Sequence, residues 1–270
     1  MKNPALASPS PEPFAYSAVF ESPLELHLAF FRDVSADVDF LLGLFERLMG
    51  RKAQSALEVQ CGPAYYARAL ALRGLSCTAI DTREDFLSFA RSLVAPAPVE
   101  FAREHPCNLS PRGPYDLVLL PLDSMAYFPD DAAVHAFLAG ASRSMHDQSL
   151  LVIEANHPKD VGYIDYGVIY GGTAPSHPGR RVRAEWGVNA PRFDLLTGRV
   201  DTVIRITNQT GESETVREIK SAERVYFPRE LTLLTQQSPL SICGFFGGYA
   251  DHTLGWDDAV QVIALRKRTP

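Results

Sequence analysis

Apolar positions near the start of the chain recur with helical spacing. Within residues 36–49 they form one stripe on a 3.6-residue period: Val38, Phe40, Leu41, Leu44, Phe45 and Leu48. Gly50 follows as a C-terminal cap, so this stretch predicts an amphipathic helix. Residues 23–32 predict a shorter helix, and the Pro- and Ser-rich residues 1–13 predict a disordered leader.

From residue 57 onward, short apolar runs alternate with helical segments. The runs predict buried strands at 57–59, 77–80, 99–102, 115–120 and 150–154. The segments between them predict helices at 65–73, 84–93 and 130–144, the last with Asp130 as its N-cap. Strands that alternate with helices favour a parallel sheet with right-handed crossovers.

The pattern changes after residue 158. Residues 159–227 contain β-type runs at 182–186, 200–208 and 214–227 and no strong helix, with a predicted turn at 208–211. We interpret this stretch as an antiparallel β-insertion rather than a separate domain. Residues 228–236 then predict a helix, and 240–246 and 260–265 predict the closing strands.

Composition and charge exclude several classes of protein. The 270 residues carry 26 Lys and Arg against 32 Asp and Glu, a formal net charge of −6. This balance disfavours nucleic acids and anionic membranes as partners. The four cysteines lack CxxC spacing, so we expect no metal site. The start of the chain lacks a signal-peptide pattern and no apolar run is long enough to span a bilayer, so we expect a cytoplasmic protein.

The segment that indicates chemistry is 57–64 (LEVQCGPA), followed 23 positions after Glu58 by Asp81. A strand, a tight loop of small residues, a helix, and a second strand that ends in an acid form the nucleoside-binding arrangement of α/β proteins. Small residues let the backbone approach the ligand, and the acid accepts hydrogen bonds from ribose hydroxyls. A dinucleotide site would have GxGxxG, whereas Gln60, Gly62 and Tyr65 occupy the corresponding positions here.

With Glu58 inside the first strand, the segment resembles the first motif of class I S-adenosylmethionine-dependent methyltransferases, in the bacterial small-molecule type with a β-insertion. The runs at 115–120 (YDLVLL), 122–128 (LDSMAYF), 193–198 (FDLLTG) and 226–231 (YFPREL) are similar to later segments of such enzymes. The likeness covers about residues 14–268. It implies an α/β fold: a Rossmann-like, mostly parallel seven-stranded sheet, helices on both faces, and the antiparallel β-insertion after strand five.

The resemblance also implies a division of the chain and a cofactor site. Residues 14–158 would hold N-terminal lid helices and the core that binds S-adenosylmethionine, 159–227 would cover the acceptor pocket, and 228–270 would complete the core sheet. The residues it implies for the cofactor are Tyr16, Glu58, Gln60, Gly62, Ala64, Asp81, Thr82, His105 and Leu122.

Two positions depart from the family pattern. Gln60 stands where the family usually has its first glycine, so the backbone there has less freedom in φ. His105 stands where the family often has an acid that binds the adenine amino group. Glu104, a main-chain carbonyl or apolar contacts could hold adenine instead, and these alternatives stay open.

The acceptor should lie beyond the carboxyl ends of the strands. Asp123 and Tyr127 follow the fourth strand, and Asn156 and His157 follow the fifth. His157 is the candidate general base, because the pKa of an imidazole lies near neutrality. Tyr170, in the aromatic-rich stretch that follows, is the candidate for positioning the acceptor.

Three hypotheses about function follow. The first is methyl transfer from S-adenosylmethionine to a small molecule in natural-product biosynthesis. The second is a methyltransferase fold that serves a cyclisation or rearrangement, or a noncatalytic partner role, motivated by Gln60 and His105. The third, a nicotinamide-dependent oxidoreductase, is disfavoured by the missing glycines. The sequence leaves the acceptor, the methylated atom and the formation of a homodimer undetermined.

Overall fold

The computed structural model describes residues 19–161, 168–172, 177–189 and 191–268. The helices in these ranges are α1 Pro23–Ala29, α2 Ser35–Met49, α3 Tyr65–Ala71, α4 Glu84–Val94, α5 Asp131–Arg143 and α6 Pro228–Gln236. The strands are β1 Ser55–Val59, β2 Ser76–Asp81, β3 Val99–Arg103, β4 Tyr115–Leu120, β5 Met145–Asn156, β6 Val168–Gly172, β7 Arg180–Trp186, β8 Arg192–Asp194, β9 Arg199–Thr210, β10 Ser213–Arg224, β11 Leu240–Gly247 and β12 Val260–Lys267.

The larger sheet has seven strands in the order β11-β12-β5-β4-β1-β2-β3. Strands β1 to β5 pair in parallel, and β12 runs antiparallel to both of its neighbours. Alternate residues of its central strands face two cores: Leu117 packs with α2, α3 and α4, and Val118 packs with α5 and α6. The predicted fold class, with helices on both faces of a mostly parallel seven-stranded sheet, is therefore confirmed.

The second sheet is antiparallel and follows β5 in the chain. Its strands pair in the order β10-β9-β7-β6, and β8 pairs with β9. Its inner face packs against α1 around Val182, Ala184, Ile204 and Ile206. This sheet is the predicted antiparallel β-insertion. The limits of 159–227 given to that segment stay a prediction, as do the other segment limits, and residues 1–13 lie outside the described ranges.

Several elements differ from the sequence pattern at their ends. β4 and α6 have the predicted bounds, and Asp130 caps α5 by accepting a hydrogen bond from the Ala133 amide at 2.9 Å. α1 ends at Ala29 rather than Arg32, because Phe30 leaves the helical conformation with ψ of 26°. β5 begins at Met145, five residues early, because Met145 pairs with Tyr115 of β4 despite its polar neighbours.

The parallel strands place four loops at one edge of the larger sheet. The carboxyl ends of β1, β2, β4 and β5 lie side by side because these strands run in the same direction. α1 reaches this edge from the insertion sheet. In open α/β sheets, ligands bind beyond this edge, so the fold collects the candidate residues there.

Candidate active site

A cavity lies beyond the carboxyl ends of β1, β2, β4 and β5. Its wall consists of the loop after β1, Asp81 of β2, the loop after β4, the end of β5, and residues of and just after α1. Of the predicted cofactor residues, Gln60, Gly62, Asp81 and Leu122 belong to this wall. The structure therefore brings these four together, although they come from three separate loops.

The loop after β1 turns through left-handed backbone conformations. Gln60, Gly62 and Ala64 have φ angles of 54°, 49° and 56°. Gln60 therefore adopts the conformation that glycine favours, despite its Cβ. A Cβ on Gly62 would lie 3.3 Å from Leu26 Cδ2, so the absence of a side chain lets α1 pack closely over the loop.

Asp81 joins this loop to the end of β2. Its Oδ2 accepts a hydrogen bond from the Gly62 amide at 3.0 Å, and its Oδ1 accepts one from the Arg83 amide at 3.0 Å. Burial raises the pKa of this carboxyl group, and the two amide donors act in the opposite direction. Each carboxylate oxygen has two acceptor positions, so Asp81 keeps capacity for hydroxyl donors of a ligand.

Glu58 lies beneath the loop and is only 1% exposed. Its Oε2 accepts a hydrogen bond from the Ala67 amide of α3 at 2.7 Å. Burial raises the pKa of Glu58 to about 8, and the nearby charge of Asp81 adds to this. Neither Glu58 nor Ala64, the N-cap of α3, lines the cavity. In this geometry both residues shape the loop from below.

Two further predicted cofactor residues, Thr82 and His105, lie outside the cavity wall. The Thr82 carbonyl accepts a hydrogen bond from Arg103 Nε at 2.9 Å, and His105 Nδ1 accepts one from the Cys107 amide at 3.2 Å. Burial lowers the pKa of His105. The Glu104 carboxylate accepts hydrogen bonds from the Ser110 amide and from Arg112. These contacts leave it less available for the adenine amino group. Tyr16 lies outside the described residues.

The loop after β4, where the sequence analysis expects the acceptor, forms another part of the cavity wall. Leu122 and Asp123 have φ angles of 56° and 51°. The Leu122 amide donates a hydrogen bond to Glu154 Oε2 at 3.1 Å. Asn156 donates from its backbone amide and its side chain to the Asp123 carboxylate, at 3.0 and 2.6 Å. Burial raises the pKa of Asp123 well above its ordinary value.

Arg32 and Glu154 are wall residues that the sequence analysis missed. Glu154 accepts a hydrogen bond from the Tyr249 hydroxyl at 2.8 Å and lies 3.4 Å from Arg32 Nη1. Arg32 also pairs with Asp37. A carboxylate at the end of an otherwise apolar strand was the available signal for Glu154, because such a group seldom stays buried without a partner.

Of the two predicted catalytic residues, His157 does not belong to the cavity wall, and the side chain of Tyr170 lies outside the described part of the chain. His157 is 4% exposed, its Nδ1 accepts a hydrogen bond from the Lys159 amide at 3.0 Å, and its Nε2 donates to the Gly255 carbonyl at 3.0 Å. Both ring nitrogens are therefore engaged by backbone groups, a geometry that does not favour a general base. Tyr170 pairs through its backbone with Ala184 in the insertion sheet.

The described residues include neither a metal-binding cluster nor a membrane-spanning helix. Within them, no group of three or more His, Cys, Asp and Glu side chains is arranged to hold a metal ion. The helices in the same ranges include none with the length and hydropathy needed to cross a bilayer.

Comparison with known proteins gives a match over part of the chain and a shared fold. Residues 56–147, about a third of the chain, match the family model described as a methyltransferase domain. The chain as a whole has the class I S-adenosylmethionine-dependent methyltransferase fold, with the antiparallel sheet added after β5. No curated protein sequence gives a significant match to this chain.

The solved structures that are similar share the fold at low sequence identity. An S-adenosylmethionine-dependent methyltransferase from Clostridium acetobutylicum is 15% identical, with a TM-score of 0.73 over 88% of this chain and 93% of its own. The CcbJ methyltransferase from Streptomyces caelestis is 14% identical, with a TM-score of 0.70 over 88% and 91%. The sugar N-methyltransferase KedS8 from a Streptoalloteichus species is 14% identical, with a TM-score of 0.67 over 99% and 100%.

Proposed function

We propose that this chain transfers a methyl group from S-adenosylmethionine to a small-molecule acceptor. The observation that carries the proposal is the hydrogen bond between the Gly62 amide and the Asp81 carboxylate in the wall of the cavity. It joins the tight loop after β1 to the acid that ends β2, which is the arrangement that binds a nucleoside in such sheets. The methyltransferase-domain match over 56–147 includes both residues.

The residues of the wall fit the cofactor. Asp81 has acceptor capacity left for two ribose hydroxyls after binding its two amides. Gly62 offers a backbone surface without a side chain, and Leu122 offers an apolar one. Gln60 keeps the left-handed turn, so this departure from the family pattern does not remove the shape of the loop.

Bound S-adenosylmethionine would supply an electrophilic methyl group on a sulfonium. The chain then has to hold the acceptor in line and exclude water, and such positioning contributes roughly 7–11 kcal/mol in well-oriented systems. Leu26 of α1 and Phe30, which directly follows α1, line the cavity. As a lid, α1 would limit the access of water to the cavity. We also propose that segment 159–227, with the insertion sheet, covers the acceptor pocket.

A small acceptor agrees with the charge of the chain and of the cavity. The formal net charge of −6 disfavours a nucleic acid, and among the described residues the wall includes Asp81, Asp123 and Glu154 against the guanidinium of Arg32. Several proteins with this fold carry names from natural-product chemistry, among them an amino pentose methyltransferase involved in calicheamicin biosynthesis. Natural-product biosynthesis is accordingly the setting that we propose.

Calorimetry with S-adenosylmethionine tests the proposal. Asp81→Ala should weaken binding about 10- to 150-fold, because a hydrogen bond to a charged group contributes about 1.5–3 kcal/mol. Asp147→Ala is the matched control, since this exposed carboxylate lies near the amino end of β5, at the opposite edge of the sheet. Unchanged affinity in Asp81→Ala, or no binding to the wild-type chain, would overturn the proposal. Binding with no methylated product from any acceptor would favour a non-methylating role.

A further inference from the structure

The inner face of the insertion sheet carries a carboxylate, Glu223, that has no cationic partner among the described residues. On β10, Arg217 and Glu223 face the same side as the buried β9 residues Ile206 and Val200, with which they pair. Arg217 forms ion pairs with Glu25 and Glu21. Among the ion pairs of the described residues, none includes Glu223.

Three neutral groups hold one oxygen of Glu223. Its Oε1 accepts hydrogen bonds from Trp186 Nε1 at 2.8 Å, from the Tyr127 hydroxyl at 3.1 Å and from Ser221 Oγ at 3.2 Å. No described residue donates a hydrogen bond to Oε2 of Glu223. The side chain is therefore fixed through one oxygen and keeps the other available for a ligand.

A carboxylate in this environment is costly without a cation. Burial raises the pKa of Glu223, and its three neutral donors only partly offset this effect. A buried charge is normally stabilised by an opposite charge as well as by hydrogen bonds. The missing positive charge can be provided by a ligand.

Glu223 lies next to the acceptor side of the cavity. Tyr127 ends the short helical turn Ser124–Tyr127, which Asp123 precedes. The ring centroids of Trp186 and of Phe30, a residue of the cavity wall, are 5.6 Å apart. The charge of Glu223 contributes to the raised pKa of Asp123, so the two carboxyl groups interact. Arg32, the guanidinium of the wall, is already shared between Asp37 and Glu154.

We propose that Glu223 binds a protonated amine of the acceptor through Oε2 and takes its proton. The inference rests on the proposed methyltransferase function and adds the class of acceptor. In this step an N–H bond breaks, an O–H bond forms on Glu223, and the electron pair stays on nitrogen as the lone pair that accepts the methyl group. An ammonium ion balances the charge of Glu223, whereas a neutral hydroxyl does not.

The indole of Trp186 allows a test that does not depend on methyl transfer. The chain has two tryptophans, and Trp256 is 67% exposed, so Trp256→Phe leaves Trp186 as the single indole reporter beside Glu223. In this background the ¹⁵N-indole resonance is followed during titration with glucosamine and with glucose, which differ in one protonated amine. We expect glucosamine to shift the resonance at a concentration about tenfold lower than glucose, or lower still.

Glu223→Gln is the decisive variant. Its amide oxygen can keep the three donors in place while the negative charge is lost, so the fold should be retained and the preference for glucosamine should disappear. Glu218→Gln is the matched control, because Glu218 is an exposed residue of the same strand paired with Arg205, and it should keep the preference. Equal responses to the two sugars, no response to glucosamine, or a preference that survives in Glu223→Gln would overturn the inference.

Calorimetry with S-adenosylmethionine separates this inference from the proposed function. We expect Glu223→Gln to bind the cofactor with nearly wild-type affinity, because Glu223 lies on the acceptor side. If the wild-type chain fails to bind the cofactor, the proposed function fails. If cofactor binding is normal but Glu223→Gln leaves the amine preference unchanged, only the role of Glu223 fails.

Discussion

Gln60 shows how a single residue can depart from a family pattern while the backbone keeps the expected shape. Its φ of 54° places an L-residue with a Cβ in the left-handed region, at a cost of about 1–2 kcal/mol. The sequence argument was right that a side chain restricts φ at this position. It could not show that the loop is held by other contacts, such as the hydrogen bond from the Cys61 amide to the Ile80 carbonyl at 2.9 Å.

Glu58 gives a prediction about pH and stability. Its pKa rises from 4.5 to about 8 on folding, so between these pH values the folded state holds a proton that the unfolded state releases. The free energy of unfolding should therefore fall as the pH rises through this window. Urea denaturation at about pH 5 and about pH 9 should show a weaker pH dependence in Glu58→Gln than in the wild-type chain. The same pH dependence in both proteins would contradict the assignment.

At the scale of elements, α1 connects the insertion sheet to the cavity. Glu25 of α1 pairs with Arg217 of β10 and accepts a hydrogen bond from Asn208 Nδ2 at 2.7 Å. Leu26 and Phe30, beside it in sequence, line the cavity. A seven-residue helix is not stable alone in water, so its position over the cavity depends on these contacts.

A double-mutant cycle tests this connection. Glu25→Ala should lower the free energy of unfolding by about 3 kcal/mol, because Arg217 would lose the more buried of its two carboxylate partners. The coupling energy between Glu25→Ala and Arg217→Ala, from urea denaturation, should be about 1–3 kcal/mol. The exposed pair of Arg205 and Glu218 is the control, with an expected coupling below about 1 kcal/mol. Equal coupling in the two cycles would show that Glu25 does not anchor the helix.

At the scale of the whole molecule, cofactor binding should stabilise the fold. A ligand at about 100 times its Kd adds about 2.7 kcal/mol to the free energy of unfolding when it binds only the folded state. S-adenosylmethionine should therefore raise the melting temperature by roughly 5–10 °C, measured by scanning calorimetry. At the same ligand concentration Asp81→Ala should show a smaller shift. A melting temperature that does not respond to the ligand would count against the cofactor site.

Local sequence determined most of the elements. The run Tyr115–Leu120, apolar except for Asp116, predicts a strand buried on both faces, and the proline at the start of Pro228–Gln236 marks the first turn of a helix. β8 was missed, because three residues carry too little periodicity and this strand exists only through its pairing with β9. β6 was missed as well, because it lies in a stretch whose sequence is rich in glycine and aromatic residues.

The candidate site likewise contains residues that the sequence could pair and residues that it could not. Gly62 and Asp81 could be paired from sequence because a βαβ unit brings the ends of its two strands together wherever it occurs. Arg32, Glu154 and Glu223 could not be found in this way, because Arg32 meets Glu154 from 122 positions away and Glu223 meets Trp186 only through the pairing of the insertion strands. The backbone partner of His157 could not be foreseen for the same reason, since Gly255 lies 98 residues away in the chain. Hydrophobic period and loop chemistry are local properties that the sequence determines by itself, whereas the partners of buried charges depend on contacts between distant segments, which only the tertiary structure decides.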